Sequence, residues 1–313
     1  MLKRLLTVLL ICSSLAARAQ EQTPVFTHEL SFTNENDAYL LGKHDAYYTN
    51  GVFMRLSIAG SHRLRKTVHS YEAGQMIFTP LIRKTQSPAD IDRPYCGFLF
   101  GRYSRSVFIP GDGILQYSGT LGVVGAASLG ENLQETYHSL LGYGQFDGWK
   151  YQVQNAVGLD AGFLYAPLAW EDSTWAKLVP ALQLSLGMNY TYAKLGAYFC
   201  VGAMEKNSNS ALWNARVQSG AEPLRRHSEL FIFWYPEMEY QVYNATVQGG
   251  LFSKGSGAVL TAPVRWMFNN YLGICYAEGR STLKFSIVFQ DRETVTQKTI
   301  QQYGSLQFNY RFR

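Results

Sequence analysis

The sequence predicts an all-β fold: a transmembrane antiparallel β-barrel of about twelve strands, with one short helix in an extracellular loop near residues 129–141. Three observations carry that expectation. Strand-length segments alternate apolar and polar residues over most of the chain, as half-buried strands do. The polar face is strongly polar, and the segments often exceed the roughly five or six residues usual in soluble sheets. Aromatic residues reach 14%, with 21 Tyr and 18 Phe, against only 16% charged residues. No second apolar run approaches the roughly eighteen residues that a membrane helix needs. A large soluble β-sandwich or barrel is the competing architecture and would share a secretion signal.

Lys3 and Arg4 precede an apolar run from Leu5 to Ala16, and Ala17-Arg18-Ala19 has the small-x-small form of a signal-peptidase site. Residues 1–19 are therefore expected to be a cleaved signal peptide and residues 20–313 a single barrel domain. Cys12 falls in that peptide with no small residue just before it, so no lipid anchor is expected. Loss of Lys3, Arg4 and Arg18 would lower the formal charge of +5 by three, and the small surplus left does not suggest a nucleic-acid partner. Cys96, Cys200 and Cys275 remain, an odd number at wide spacing that makes neither a disulfide framework nor a zinc site.

The first strand pair brackets the most polar stretch of the chain. Phe26, Leu30 and Phe32 alternate with Thr27, Glu29 and Ser31, and Val52, Met54, Leu56 and Ile58 alternate with Phe53, Arg55 and Ser57. Between them crowd Asn34, Glu35, Asn36, Asp37, Asp45, Thr49 and Asn50. Oxygen donors at that density suit a hard cation such as calcium better than zinc. The alternative is a polar turn in which Asn and Asp cap the backbone.

Strands follow over 67–78, 97–109 and 115–124, with a polar, proline-containing loop at 80–95. Residues 126–142 break the rhythm. Ser128 with Glu131 reads as a capping box, Leu133, Tyr137, Leu140 and Leu141 recur at helical spacing, and Gly142 is a stop. Gln134 and His138, one turn apart, share the other face. Strands resume over 150–165, 178–190, 192–203, 230–245, 263–277, 282–290 and 303–312. In the last, Leu306, Phe308, Tyr310 and Phe312 oppose Gln307, Asn309 and Arg311. Tyr190, Tyr192, Trp234, Tyr235 and Trp266 would form interfacial girdles. The loops at 80–95, 125–150 and 204–227 are expected on the extracellular side, because periplasmic turns are short.

If the polar cluster and the Gln134/His138 face share a rim, they could form one hydrolytic site. A neutral His138 would act as general base on water, a divalent cation would polarise an ester carbonyl, and Lys84 would add positive charge toward the oxyanion. A single histidine on a short helix can equally be structural. No G-x-S-x-G or H-E-x-x-H motif is present, and Ser139 points away from its neighbour His138. The remaining histidines read as solvated or lumen-facing.

Five motifs in fixed order now combine: N-x-N-D at Asn34 to Asp37, D-x-Y-Y-T-N-G at Asp45 to Gly51, Thr79-Pro80, D-R-P-Y at Asp92 to Tyr95, and G-E-x-x-Q-x-x-x-H from Gly130 to His138, with Gly148-Trp149 following. This combination resembles the outer-membrane lipid A 3'-O-deacylase family, over most of residues 25–165 and more loosely beyond. The resemblance implies a twelve-stranded barrel in the bacterial cell outer membrane with its active site on the extracellular side. The implied activity is calcium-dependent hydrolysis of the ester of the 3'-linked acyloxyacyl chain of lipid A, with lipopolysaccharide and outer-membrane lipids as partners. It further implies His138 as general base, Asn36, Asp37, Thr49 and Gln134 as active-site residues, and Asn36 and Asp37 as ligands to Ca2+. Lys84 matches the family's loop lysine with a one-residue shift. Gly144 and Phe146 stand where well-known members carry an acidic residue and a tyrosine. A monomer is expected. Two other classes stay open: a calcium-dependent outer-membrane phospholipase, which would need a serine nucleophile, and a non-enzymatic barrel or pore.

Overall fold

The computed structural model describes residues 25–40, 47–60, 65–82, 84–85, 87–142, 144, 146–172, 175–220, 224–253 and 258–313. The expected signal peptide, His44 and Asp45 lie outside them. Thirteen strands occur among the described residues: β1 (His28–Asn36), β2 (Tyr47–Gly60), β3 (Thr67–Thr79), β4 (Cys96–Ile109), β5 (Gly113–Val124), β6 (Ala156–Ala166), β7 (Trp170–Asp172), β8 (Ala176–Gly187), β9 (Tyr190–Ala203), β10 (Ser228–Asn244), β11 (Trp266–Glu278), β12 (Ser281–Gln290) and β13 (Gln301–Phe312). Each pairs antiparallel with its neighbour, β1 pairs β13, and β6 pairs β8 past the three-residue β7. Twelve strands thus close the ring, and no edge is left open to lipid.

Side-chain alternation sorts the two faces as expected. On β13, Leu306, Phe308 and Tyr310 are exposed outward while Gln307, Asn309 and Arg311 are buried in the lumen. Much of the lumen is filled, with cavities of about 180 and 290 Å³ left among its side chains. Arg311 pairs with Glu29 at 2.9 Å, Arg216 with Glu229 at 2.9 Å, and Lys194 with Glu239 at 3.0 Å. Tyr198 stacks on Tyr235 with centroids 4.0 Å apart. Tyr48, Phe78, Phe98 and Tyr303 pack across one end of the lumen. Cys96, Cys200 and Cys275 are free thiols, all buried.

Five expectations need correction. Tyr190, Tyr192 and Tyr235 are not girdle residues: they face the lumen, Tyr235 stacked on Tyr198 and Tyr190 packed on Phe98, while Trp234 and Trp266 are exposed outward. The segment 204–227 follows β9 and therefore emerges at the end that carries the short β4–β5 and β11–β12 turns, the periplasmic end. There its residues 209–217 fold into the lumen: Lys66 Nζ donates to Asn209 Oδ1 at 2.6 Å and to the Ala215 carbonyl at 2.7 Å, and Ala215 and Val217 are buried. The extracellular end instead carries the loops after β3, β5, β10 and β12. Residues 149–151 form a 3-10 turn, so the sixth strand begins at Ala156. Ser128 makes no capping box: its hydroxyl donates to the Gly125 carbonyl, and Glu131 accepts from Gln152 Nε2 at 2.9 Å. His69 faces the lipid side rather than the lumen, its Nδ1 2.8 Å from the hydroxyl of the outward Tyr103.

Candidate active site

The site is built on the outside of the barrel wall. Strand pairing aligns Asn36 with Asn50, Asn50 with Ile77, and Ile77 with Gly97, one level across β1 to β4. By alternation these residues share the face of Leu30, Met54, Tyr71 and Tyr103, which are exposed to lipid. Ile77 is nevertheless buried, because a structure outside the wall covers it. That cover is α1 (Gly130–Leu141), which lies against β3 and β4, together with the segment after it. The predicted polar cluster is split by the same alternation. Glu35 points into the lumen, where it accepts hydrogen bonds from Tyr48 and Ser305 at 2.6 and 3.0 Å, while Asn36 points out.

The helix is inverted relative to a water-soluble amphipathic helix. Gln134 and His138 are buried, 5% and 4% exposed, whereas Leu133 and Tyr137 are exposed and Leu140 is 82% exposed. A helix with water on its outer side would turn those apolar residues inward. Here the outer side lies at the rim of the lipid belt, and the inner side packs against β3 and β4 of the wall. The chain enters the helix through Leu129, held in the left-handed region at φ 60°, and Gln75 donates a hydrogen bond from the wall to the Ser128 carbonyl.

His138 is held from two directions. Its Nδ1 lies 2.8 Å from the carbonyl oxygen of Gly144, and its ring centroid 5.4 Å from that of Phe146. A carbonyl only accepts, so Nδ1 carries the proton and, in the neutral ring, Nε2 carries the basic lone pair. Phe146 packs in turn with Ile77, Ile91, Tyr95 and Trp149. Trp149 Nε1 donates to Gln134 Oε1 at 3.0 Å, fixing the helix from the side of the loop. Burial pushes the Tyr95 phenol up to about 12, so it stays a protonated donor near neutral pH; its hydroxyl lies 3.1 Å from Thr85 Oγ1.

Thr49 occupies the bulge between Tyr48 and Asn50 and donates to the Ile77 carbonyl at 3.3 Å, which ties it to the apolar cluster under His138. Asn36 and Asp37 are both buried where β1 ends, and Asn36 Oδ1 accepts the Ala38 N–H at 2.8 Å. Thr79, two residues beyond Ile77 on the same face, is buried with no hydrogen-bond partner for its hydroxyl. The oxygen types at this end of the wall, a carboxylate, an amide and hydroxyls, suit a hard cation, and the unsatisfied Thr79 hydroxyl is the kind of group a cation would satisfy. Among the described residues no cluster of three or more acidic, His or Cys groups forms.

A family model described as outer membrane protein LpxR matches residues 5–312. The chain belongs to the LpxR family. Among solved structures, LpxR from Salmonella typhimurium superposes with a TM-score of 0.73 at 18% identity, covering 91% of this chain and 100% of that one; the likeness is one of fold. The β domain of the Bordetella autotransporter BrkA is more distant, with a TM-score of 0.43 at 12% identity over 92% of this chain and 100% of that one. No curated protein matches in sequence. As an LpxR-family protein the chain resides in the bacterial outer membrane.

In this LpxR-family barrel, five of the predicted residues, Asn36, Asp37, Thr49, Gln134 and His138, are buried at the extracellular end of the β1–β4 wall and beneath α1. Lys84 is exposed in the loop after β3. The residues that position the histidine went unread in the sequence. Gly144 and Phe146, noted in the sequence only as departures from the resemblance, both touch the His138 ring. Gly97 and Gly130 let the helix reach the wall. A glycine inside a strand pattern is a signal of close backbone approach, but nothing local names the partner.

Proposed function

We propose that this protein is a calcium-dependent lipid A 3'-O-deacylase, an ester hydrolase. The observation that carries the reading is the position of His138: buried on the wall-facing side of α1, which lies against the outer face of the barrel at the extracellular end, with Nδ1 turned to the Gly144 carbonyl. Only a molecule in the outer leaflet meets that face, and lipid A is the acylated lipid of that leaflet that the family resemblance names.

His138 Nε2 takes a proton from water as the oxygen attacks the ester carbonyl. The imidazolium formed is stabilised by its hydrogen bond to Gly144. It then returns the proton to the sugar 3'-oxygen as the carbon–oxygen bond breaks, releasing the acyloxyacyl chain as its acid. Gln134 and Trp149 hold the helix that carries the base, and Thr49 lines the wall opposite. Asn36 and Asp37 would hold calcium, with Thr79 in reach of the same face. When bound, the ion supplies Lewis-acid polarisation of the carbonyl. Lys84, exposed on its loop, would meet headgroup phosphate rather than the reacting ester.

A serine-dependent phospholipase gains no support. Ser139 is exposed beside His138, and Ser128 spends its hydroxyl on Gly125. A pore reading is opposed by the largely filled lumen.

The test is mass spectrometry of lipid A incubated with refolded protein, with and without calcium, beside His138→Ala. A calcium-dependent loss of one acyloxyacyl unit that disappears in the variant supports the reading. Hydrolysis retained by a folded His138→Ala protein would remove the histidine from the mechanism.

A further inference from the structure

The four strands that carry the site run on into the lipid-facing wall, and their outward residues can be followed level by level. Asn36, Asn50, Ile77 and Gly97 make the site's level, and Asn34, Val52, Gln75 and Leu99 the next. Phe32, Met54, Ala73 and Gly101 make the third, and Leu30, Leu56, Tyr71 and Tyr103 the fourth. At the third and fourth levels the wall is hollowed into an open groove of about 440 Å³, floored by Ala73 and Gly101 and walled by Leu30, Met54, Tyr71 and Tyr103. Side-chain size makes the hollow: a Cβ on Gly101 would meet nothing within 4 Å, and Ala73 beside it carries only a methyl. Tyr103 leans away toward β3, its ring 5.3 Å from that of Tyr71 and its hydroxyl on His69.

A glycine in a strand interior costs stability, and what sets Gly101 apart from a lone lipid-facing glycine is its pairing with the small Ala73, which together hollow the wall. We infer that this groove receives an acyl chain of the lipid A molecule whose ester lies at His138, and that its floor sets the chain length the enzyme prefers. The inference rests on the deacylase reading and specifies its substrate. Depth agrees with it. Three steps of two residues, at about 3.3 Å per residue, put the fourth level about 20 Å along the strands from the site. At a strand tilt near 40° that is roughly 15 Å along the membrane normal, the hydrocarbon depth of one leaflet. A chain hanging from an ester at the site's level passes Val52 and Leu99 and ends in the groove.

The test fills the floor. Gly101→Leu and Ala73→Leu each project bulk into the groove. Gly119→Leu is the control: it lies on the same lipid-facing side, opposite Tyr103 on β5, and its Cβ also meets nothing within 4 Å. Heat-modifiable gel mobility verifies each barrel, and two filling variants guard against one failing to fold. Lipid A species with long and short 3'-chains are given to each protein in detergent, and release is followed by mass spectrometry. Expected is a drop of about tenfold in kcat/KM on the long chain, the worth of about two buried methylenes, with the short chain and the Gly119→Leu protein at wild-type rates. Equal losses at every chain length, equal loss in Gly119→Leu, or no loss in either filled variant would overturn the groove's assignment. If the wild-type protein releases no acyl chain from any lipid A, the deacylase reading falls first and takes this inference with it.

Discussion

Gly97 of β4 and Gly130 of α1 meet backbone to backbone. A Cβ on Gly97 would lie 2.9 Å from the Gly130 Cα, and a Cβ on Gly130 would lie 2.8 Å from the Gly97 Cα. This contact sets how closely the helix sits on the barrel wall, and so where His138 stands two turns later. Gly97→Val should push the helix outward without disturbing the strand pairing, since valine favours strands. A displacement of about 1 Å in a positioned base can cost on the order of a hundredfold in rate. Turnover measured beside heat-modifiable mobility checks this; a folded Gly97→Val barrel with wild-type turnover would show that the seam does not position the site.

The Trp149–Gln134 hydrogen bond is the second tie on the helix. Gln134→Leu leaves the buried indole N–H without an acceptor and should cost roughly 1–3 kcal/mol of local stability. The double variant Gln134→Leu with Trp149→Phe removes both polar groups and should recover part of that loss. Limited proteolysis of the segment from 125 to 155 reads the effect, with faster cleavage in the single variant than in the double one.

Asp37 brings the one carboxylate among the oxygens proposed to hold calcium. Asp37→Asn keeps the shape and removes the charge, so the calcium concentration for half-maximal deacylation should rise at least about tenfold. Chelation of the wild-type protein should abolish turnover, and added calcium should restore it. Full activity in chelator would exclude Asn36 and Asp37 as ligands of an essential metal.

Arg93 is fully buried at the extracellular mouth, and both its Nε and one Nη donate to Glu293 Oε2, at 2.8 and 2.6 Å. The same guanidinium donates to Thr246 Oγ1 at 3.0 Å and lies 3.9 Å from the Phe78 ring centroid. It thereby joins three extracellular loops. Glu293→Gln strands a buried cation and should destabilise the barrel by about 3–5 kcal/mol. Arg93→Met with Glu293→Leu should be far milder. Urea midpoints of the three proteins decide it.

The D-R-P-Y motif shows how a short sequence signal can be right for reasons it does not contain. Asp92 accepts the Tyr47 hydroxyl at 2.7 Å, Arg93 holds Glu293, and Tyr95 packs on Trp149. The residues were visible; their partners lie up to 200 positions away in the chain. Likewise Asn36, Thr49, Gln134 and His138 could be singled out by type and spacing, whereas the Gly144 carbonyl that orients the histidine could not, because any residue supplies a carbonyl.

The sequence by itself determined the barrel. Alternation is a local property with a period of two, and it survives intact in β13, where Leu306, Phe308 and Tyr310 face out and Gln307, Asn309 and Arg311 face in. Tertiary structure alone decided which side of the wall holds the site, which end receives residues 204–227, and which face of α1 is buried. The first follows from where α1 packs, outside the wall over Ile77, and the second from counting strands around a closed ring, neither of which a single segment reports. The third follows from the surroundings. An amphipathic pattern says only that a helix has two faces; what lies outside each, lipid or water, decides which one turns inward, and for α1 the exposed Leu133, Tyr137 and Leu140 lie at the lipid rim while Gln134 and His138 close over the wall.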